Sequence, residues 1–491
     1  MKYCAALTLA TSEVLAKHLL RSDGQEDVCF ALWSPGQGAN RLTAIVTDAI
    51  LPLEGERHVH GNASITSEYL SRATALAMTK GMGLAFLHSH PWPGWQDMSR
   101  DDRATELRQA PSVLAATGLP LVGMTIGTDR AWSGRLWVKT APRKYERRWC
   151  ETVRVVGANG LEMTFHDVLL PPPAFREELK RTISAWGEVA QQKLARIRFG
   201  IVGLGSVGSI VAESLARMGI EHIKLIDYDH VELHNLDRLL HANANDARLR
   251  RRKIDMIERA LKMSATAARP VFEKHPLAVT EPDGFREALD CDILFSCVDR
   301  PWPRYVLNYI AYAYLIPVVD GGILIRKRRD LLRNASWKSH VVYPGKRCLA
   351  CIGQYDPDLV NVERQGQLDD PTYIENLPVD HTLRRNENVF PFSAHLASSL
   401  VLHALHLSLN PVGIADVGEQ TYHFVDGTLD SDRGTICYEN CFFPSIVGKG
   451  DLVGLPITGT DVGATRVRAS TKLKPHLKKK SGGASRKGKR S

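Results

Sequence analysis

Two histidines and a carboxylate are concentrated in one short segment of this chain, between Leu87 and Asp102. His88 and His90 are one residue apart at the end of an apolar run, so their side chains point to the same face of a strand. Asp102, from the next turn, can complete three protein ligands and leave the fourth position of a zinc ion to water. The segment therefore predicts a hydrolytic zinc site, with a surface loop of histidines and prolines as the plainer alternative.

Five residues of this segment resemble the JAMM signature of JAB/MPN metalloproteases, in which His-x-His-Pro is followed by Ser-x-x-Asp. The matching positions are His88, His90, Pro91, Ser99 and Asp102, and the loop between Pro91 and Ser99 is one residue longer than is usual in the family. The resemblance implies a mixed sheet with helices, a catalytic zinc ion, and a Ser99 hydroxyl that steadies the oxyanion.

A general base for the zinc-bound water must come from elsewhere in the sequence. In the resembled family it is an upstream glutamate, and Glu26, which opens the strand-like run 26–33, is the best candidate. Asp27 and Glu54 are the alternatives.

A second centre of chemistry follows a proline-rich break at 171–173. A buried strand at 199–202 runs into Gly203, Gly205 and Gly208, spaced as G-x-G-x-x-G, and a helix follows. These glycines allow a tight turn and let backbone amides approach phosphates, while Asp227, after the next strand, can bind ribose hydroxyls. The pattern predicts a nucleotide site for either NAD or ATP.

Charged residues after this loop favour ATP. Asp229, Asn235 and Arg238 lie in one turn region, and Lys253 and Asp299 come later in the chain. A dehydrogenase needs only one acid for the ribose, whereas several acids with Arg and Lys suit a triphosphate and its Mg²⁺.

The order of these motifs resembles the ThiF/MoeB/ubiquitin-activating family over about residues 190–445. The resemblance implies a Rossmann-like, doubly wound, mainly parallel sheet, in which ATP activates the C-terminal glycine of a ubiquitin-like or sulfur-carrier protein as an acyl-adenylate. Asp237 and Leu239 depart from the family pattern. The implied site residues are Gly203, Gly205 and Gly208 in the loop, Asp227 at the ribose, Asp229, Asn235, Arg238 and Lys253 at the phosphates, and Asp299 at Mg²⁺.

Four cysteines are paired in a way that predicts a structural zinc site. Cys348 and Cys351 form one half, and Cys437 and Cys441 form the second, with C-x-x-x-C spacing in place of the family's C-x-x-C. The alternative is four ordinary buried thiols.

Between these pairs the sequence has no cysteine, from Ile352 to Ile436. A thioester-forming activating enzyme needs a thiolate there to take over the acyl group. We therefore predict that the adenylated carrier is handed directly to a nucleophile of a partner, such as a conjugating-enzyme-like protein, or that a nonstandard cysteine is used.

Length, charge and hydropathy limit the remaining possibilities. A chain of 491 residues with 44% hydrophobic residues predicts two domains plus extensions. Eleven Lys and Arg lie between Arg466 and Arg490, so the net charge of +9 leaves 9 − 11 = −2 for the rest, and nucleic acid is a possible partner only through this tail. We expect a cytoplasmic protein without a secretory signal, and a buried helix, not a membrane span, at 392–409.

Together the two centres favour a bacterial ubiquitin-like conjugation pathway, with antiviral defence as one role. In it, a homodimer activates its carrier and either trims the carrier precursor or later deconjugates it. Sulfur-carrier activation for cofactor synthesis is the main alternative; a NAD-dependent oxidoreductase with a zinc accessory domain and a scaffold with inactive sites are the others. The predicted boundaries are 1–150 for the JAB/JAMM-like domain, 151–195 for a linker and leading helix, 196–450 for the ThiF-like adenylation domain with its Cys4 site, and 451–491 for a basic disordered tail.

Overall fold

The protein is an α/β molecule built on two large sheets, as seen in a computed structural model. The structure describes residues 1–60, 62–158, 160–328, 331–370, 387–409, 417–454 and 461–472, and the single positions 373, 375 and 457.

The first sheet is mixed and has nine strands, in the order β11-β10-β1-β3-β2-β6-β7-β8-β9. Helices α1 (Leu9–Leu19), α2 (Ser67–Lys80) and α3 (Arg100–Thr117) pack against it. A separate two-stranded ribbon joins β4 (Arg57–His60) to β5 (Asn62–Ile65). The nine strands are β1 (Lys2–Thr8), β2 (Val28–Gln37), β3 (Arg41–Ile50), β6 (Gly83–Ser89), β7 (Leu121–Ile126), β8 (Trp132–Ala141), β9 (Lys144–Trp149), β10 (Thr152–Gly157) and β11 (Gly160–Phe165).

This sheet extends beyond the boundary predicted at residue 150, and the linker predicted from 151 is wrong over its first part. β10 pairs in parallel with β1, from Cys4 opposite Thr152 to Thr8 opposite Val156, and β11 completes a hairpin. The physical reason is that β1 would otherwise be an unpaired edge, and the β-branched run of β10 satisfies its backbone groups.

The second sheet has eight strands, in the order β14-β13-β12-β15-β16-β17-β18-β19. The first five run parallel and the last three antiparallel, which confirms a Rossmann-like, mainly parallel sheet. Its strands are β12 (Arg198–Val202), β13 (His222–Ile226), β14 (Val271–His275), β15 (Ile293–Ser296), β16 (Val318–Arg328), β17 (Leu331–Val342), β18 (Glu419–His423) and β19 (Thr428–Asp432).

The helix predicted before this sheet is broken in two at Gly187, whose φ of 86° is unfavourable for other residues. The helices of the second unit are α4 (Lys180–Trp186), α5 (Glu188–Arg196), α6 (Ser206–Arg217), α7 (Ala244–Arg248), α8 (Lys253–Ser264), α9 (Pro282–Leu289), α10 (Pro301–Ala313), α11 (Pro357–Arg364), α12 (Phe390–Leu409) and α13 (Val462–Lys472).

Helix α12 is long and apolar enough to cross a membrane by length and composition. In the structure it packs against α6, β16 and β17, and nine of its residues, among them Leu396, Leu400 and Leu407, are buried. This is the arrangement of a core helix, as the interrupted apolar pattern predicted.

The segment predicted as a disordered tail from 451 is partly folded. The 3-10 turn Gly450–Leu452 packs on β2, and in α13 Arg468 forms a two-bond ion pair with Glu281, at 2.6 and 2.8 Å. Ala464 is fully buried, so apolar contacts of this short helix outweigh its basic composition. The rest of the predicted tail, from 473, lies outside the described residues.

The two sheets are joined through Asp292, which is fully buried just before β15. Arg41 of β3 donates to Asp292 Oδ1 at 2.5 Å, and Arg154 of β10 approaches the same atom at 3.9 Å. The Arg198 backbone N–H donates to Oδ2 at 3.0 Å. Burial alone would raise the pKa of Asp292, but Arg41, Arg198 and Arg154 hold it below its usual value, so the carboxylate is charged.

Apolar contacts surround this charged joint. Ala6, Ile45 and Val156 of the first sheet belong to the same buried cluster as the core of the second. At the end of β2, the Ser34 hydroxyl donates to Gly448 O at 2.6 Å and the Gln37 N–H donates to Asp451 at 2.9 Å. The two sheets therefore share one continuous core, and the joint resembles a domain interior.

Replacing Asp292 by Ala should lower the free energy of unfolding by about 3–5 kcal/mol, because the substitution leaves buried arginines without a counter-charge. Asp48→Ala is the matched control, since Asp48 pairs with Lys80 on the surface; it should cost less than about 1 kcal/mol. Denaturant unfolding measures both, and equal losses would contradict a structural role for the buried carboxylate.

Candidate functional site

Three side chains of the His-x-His segment form a compact triangle at the end of β6. His88 Nε2 lies 3.2 Å from His90 Nε2, and Asp102 Oδ2 lies 3.6 and 3.3 Å from these two nitrogens. Bonds of about 2.0–2.1 Å to a tetrahedral zinc ion place ligand atoms about 3.3 Å apart. The triangle fits one zinc ion held by His88, His90 and Asp102.

The local fold explains how these ligands meet. His88 lies in β6 opposite Val28 of β2, and His90 follows the strand end. Asp102 occupies the first turn of α3, where Ser99 is the N-cap. Ser99 Oγ accepts the Asp102 N–H at 3.1 Å, and Asp102 Oδ2 accepts the Ser99 N–H at 2.8 Å. This capping box starts the helix and aims the Asp102 carboxylate at the histidines.

The predicted role of Ser99 at the oxyanion stays a prediction. Its oxygen already accepts a backbone hydrogen bond, but its own proton can still be donated.

The longer loop between Pro91 and Ser99 is folded around Gln96, which is buried. Its side-chain amide donates to the carbonyl oxygens of Trp92, Pro93 and Gly94, at 2.9, 3.0 and 2.8 Å. The extra residue is therefore accommodated by a closed turn, and Asp102 keeps its reach.

A buried polar network reaches the same nitrogen of His88 that faces His90 and Asp102, and the sequence analysis missed it. Thr125 Oγ1 is 3.2 Å from His88 Nε2 and accepts a hydrogen bond of 2.6 Å from Arg135 Nη1. Arg135 is ion-paired with Glu106, which also accepts from Trp137 at 2.6 Å. Only Glu106, four residues after Asp102 on one helix face, carried a signal that sequence spacing could have revealed.

The protonation states at this cluster suit a metal. Burial lowers the pKa of His88, which keeps the imidazole in its neutral, metal-binding form. Burial opposes ionisation of Asp102, but hydrogen bonds from His88 and His90 hold its pKa well below the usual range. Two imidazoles and a carboxylate are a common zinc donor set.

Of the three candidate bases, Glu26 is the one whose carboxyl group is electrostatically coupled to both His90 and Asp102. Burial raises the pKa of Glu26. The charge of His90 lowers this pKa and the charge of Asp102 raises it, so the carboxyl group interacts electrostatically with both predicted ligands. Glu26 does not open the strand, which begins at Val28. Asp27 is buried and pairs with Arg57 at 3.1 Å, and Glu54 is exposed. The raised pKa of Glu26 lies closer to neutral pH, which favours proton transfer by a general base.

The glycine loop after β12 contains two different kinds of glycine. Gly203 has a φ of 88°, and a Cβ there would lie 2.6 Å from Cys297 O. A Cβ on Gly208 would lie 2.0 Å from Gly203 O, whereas one on Gly205 would meet nothing within 4 Å. Gly203 and Gly208 thus close the turn, and Gly205 leaves an open space at the N-terminus of α6, where a phosphate can approach.

Asp227 braces this loop from the end of β13. Its Oδ2 accepts the Leu204 N–H at 2.6 Å, and its Oδ1 accepts the Asp229 N–H at 2.7 Å. Burial raises the pKa of Asp227 despite the nearby Lys253. Its predicted role at the ribose stays a prediction, and lone pairs remain for hydroxyl donors.

Lys253, at the start of α8, is the cation closest to these acids. Its Nζ lies 2.9 Å from Asp229 Oδ2, and its backbone N–H donates to Asp229 O at 2.9 Å. Burial would lower the pKa of Lys253, but Asp227, Asp229 and Asp299 hold it above the usual range. The structure therefore brings together four predicted residues and keeps the ammonium charged.

Asn235 ends the 3-10 turn Leu233–Asn235, and Arg238 lies three residues later. The contacts of both side chains are local. Asn235 Oδ1 accepts the Glu232 N–H at 3.0 Å, and Arg238 Nη1 donates to His234 O at 2.6 Å. Their predicted contact with phosphates stays a prediction. The sequence analysis missed Asn388, whose amide donates to Ser206 Oγ beside the glycine loop at 2.8 Å.

The four predicted zinc-knuckle cysteines come together although Cys437 lies 86 positions after Cys351. The Sγ atoms of Cys348 and Cys441 are 3.6 Å apart, and all four sulfurs lie within 4.8 Å of one another. Zinc–sulfur bonds of about 2.3 Å in a tetrahedron separate sulfurs by about 3.8 Å. Backbone N–H groups of Cys348, Cys351 and Tyr438 donate to three of these sulfurs, as expected for thiolates. The cluster fits a closed structural zinc site.

A third group, Glu273, His275 and Glu287, also has metal-ligand chemistry. Lys224 Nζ lies 2.5 Å from Glu287 and 3.3 Å from Glu273. The ammonium group already supplies the positive charge, so we regard this group as an ion-pair network.

Comparison with known proteins agrees with the nucleotide fold. The ThiF family model matches residues 179–432, slightly more than half of the chain. Ubiquitin-like modifier-activating enzyme 5 of Xenopus laevis is 33% identical over 129 residues, 24% of this chain and 31% of that protein. The adenylyltransferase and sulfurtransferase uba4 of Aspergillus clavatus is 28% identical over 199 residues, 39% of each chain.

A dehydratase and a crystal structure, both from Escherichia coli, are also similar to this chain. The tRNA threonylcarbamoyladenosine dehydratase of Escherichia coli is 41% identical over 151 residues, 30% of this chain and 54% of that protein. The crystal structure of E. coli MccB with ATP aligns with 55% of this chain and 74% of that chain, with 17% identity and a TM-score of 0.42. The matched segments span only about a third to a half of these curated relatives.

A mainly parallel sheet with a glycine loop and converging acids and lysine defines a nucleotide-binding α/β protein. The chain belongs to the ThiF family.

Gly205→Ala should fold normally and lower nucleotide affinity by roughly tenfold, because the added methyl group occupies the space next to the backbone amides. Gly208→Ala should instead destabilise the fold, since its Cβ would collide with Gly203 O. Thermal unfolding and ATP titration by calorimetry separate these effects. Unchanged ATP binding by Gly205→Ala would contradict the placement of phosphates at this loop.

Purified protein should contain two zinc ions per chain, one for each cluster. His90→Ala should remove the first with little loss of stability, and Cys351→Ala should remove the second and lower the melting temperature, because a structural zinc contributes directly to folding. Elemental analysis of each variant gives the stoichiometry. Equal zinc content in the wild type and either variant would exclude that cluster as a site.

Proposed function

We propose that this protein uses ATP to adenylate the C-terminal glycine of a ubiquitin-like or sulfur-carrier protein, and that its zinc centre processes the same carrier. The observation that carries the first activity is the placement of Lys253, whose Nζ lies 2.9 Å from Asp229, while Asp227 binds the N–H of Leu204 beside the open glycine Gly205. The curated relatives include activating and adenylyltransferase enzymes, which supports the same reaction.

In adenylation, a carboxylate oxygen of the carrier attacks the α-phosphorus of ATP, and the bond to pyrophosphate breaks. The amides at the start of α6 bind phosphate oxygens, and Lys253 neutralises the charge that develops on them. ATP must displace Asp229 from Lys253, because the two now form an ion pair. Asp229 and Asp299 are then available to hold Mg²⁺, which prefers carboxylate oxygens.

The adenylate is passed directly to a nucleophile of a partner. Cys297 lies behind the glycine loop, where burial raises the pKa of its thiol well above the usual range. Cys291 is buried in the joint, and burial raises its pKa to about 12. A thiol that stays protonated is a poor nucleophile, so neither is suited to form a thioester.

The zinc centre is proposed to hydrolyse the peptide or isopeptide bond that follows the carrier's terminal glycine. His88, His90 and Asp102 would hold the zinc ion, which when bound supplies Lewis-acid polarisation of a carbonyl and an acidified water. Glu26 accepts the proton of the attacking water and returns it to the leaving amine. The geometry of the three ligands supports this activity.

Our further proposals concern the pathway, the oligomeric state and the location of the protein. A bacterial conjugation pathway, with a role in antiviral defence and a conjugating-enzyme-like partner, would use both centres; sulfur-carrier activation would need only adenylation. A homodimer in the cytoplasm remains our expectation. An oxidoreductase is the weaker candidate, because the lysine and acids at the loop exceed what a dinucleotide needs.

Lys253→Ala should reduce carrier-dependent exchange of labelled pyrophosphate into ATP by about 10²–10³-fold, because it removes a charge that stabilises the transition state. Lys262→Ala is the control, since Lys262 is an exposed residue of the same helix. The assay pairs the purified chain with candidate ubiquitin-like proteins that end in glycine. Absence of exchange with every carrier would refute the adenylation proposal.

Glu26→Gln should keep its zinc and lose about 10²–10⁴-fold of the rate at which a peptide is released from an extended carrier, because the general base is gone. Glu54→Gln should match the wild type, since Glu54 is the exposed alternative. Mass spectrometry of the carrier measures both rates. If Glu54→Gln is the slow variant, the base is misassigned; if the wild type releases nothing, the peptidase proposal fails.

A further inference from the structure

The two candidate centres are held on different sides of the joint between the sheets. On the zinc side, Val28 of β2 lies opposite His88 of β6. Farther along β2, the Ser34 hydroxyl donates to Gly448 O of the second unit. Ser34 lies six positions after Val28, which is about 20 Å of strand.

On the nucleotide side, the joint lies at the amino ends of the parallel strands. The N–H of Arg198, the first residue of β12, donates to Asp292, and Gly203 follows the last residue, Val202. β15 has the same polarity, with Asp292 before it and Cys297 after it. Five residues of β12 add about 15 Å.

This arrangement is rigid. Asp292, Arg41 and Arg154 are all at most 1% exposed, and the apolar core continues around them. The two centres cannot approach each other without breaking this buried ion cluster.

The substrate imposes the next constraint. Hydrolysis at the zinc centre adds water across the C–N bond after the terminal glycine, and yields the carboxylate that adenylation consumes. The path along β2 from Val28 to Ser34 and then along β12 is about 35 Å long, which corresponds to about ten extended residues. A carrier whose body stays bound would need a C-terminal segment of this order to follow that path.

We propose that the trimmed carrier leaves the zinc centre, enters solution and binds the adenylation site in a second encounter. The two units then belong to one polypeptide, but the trimmed carrier is not passed directly from the zinc centre to the adenylation site. This inference rests on the proposed function.

An isotope-dilution experiment with the wild-type chain tests it. The probe is the carrier that supports pyrophosphate exchange, prepared as a ¹⁵N-labelled form with a C-terminal peptide extension and as an unlabelled form that already ends in glycine. With ATP and an excess of unlabelled carrier, the ratio of labelled to unlabelled adenylate, measured by mass spectrometry, should equal the ratio of the two trimmed pools. Labelled adenylate in excess of that ratio would overturn the inference, because it would show direct transfer.

A mixing experiment provides the second test. His88→Ala and Lys253→Ala chains, each lacking one activity, are combined with the extended carrier, at the same concentration of each intact site as in the wild type. The mixture should release pyrophosphate at the wild-type rate, and a slower rate would contradict release into solution. The exchange and peptide-release assays are run on each variant alone, so that loss of either proposed activity is distinguished from failure of the transfer inference.

Discussion

A single buried carboxylate determines how this molecule is assembled. Asp292 stays charged inside the protein only because Arg41 and Arg154 come from one sheet and the Arg198 backbone from the other. The desolvation cost of these ions is offset only when all the partners are in place, so the joint has one geometry. Because Asp292 precedes its strand, the first unit docks at the amino ends of the second sheet and leaves the carboxyl ends open for a nucleotide.

Within each centre, residues of the same type or in the same motif have different structural roles. Gly203 and Gly208 are required by the backbone of the turn, whereas Gly205 is required only if a ligand approaches it. At the zinc triangle, Ser99 and Asp102 are at once the capping box of α3 and the link to the histidines. Helix formation and ligand placement are therefore the same event there, which pre-organises the carboxylate.

Local patterns predicted several groups of residues that the structure brings close together. The spacing of His88 and His90, the glycine loop and the paired cysteines each depend on a few neighbouring residues, and the structure brings each set together. Boundaries were harder to predict. The strands at 152–165 belong to the first sheet because they pair with the free edge of β1. Helix α13 is held by the ion pair between Arg468 and Glu281. In both cases the partner is far away in the sequence.

The sequence by itself determined which residue types and turns each centre offers to a ligand, because ligand atoms and phosphate-binding turns are encoded by residue type and short spacing. Only the tertiary structure decided which residues support them and where the centres lie. Arg135 and Thr125 reach His88 from other strands, Lys253 reaches Asp229 across a helix start, and the joint at Asp292 separates the two centres. Such contacts depend on strand order and on the burial of charge, neither of which can be read from neighbouring residues.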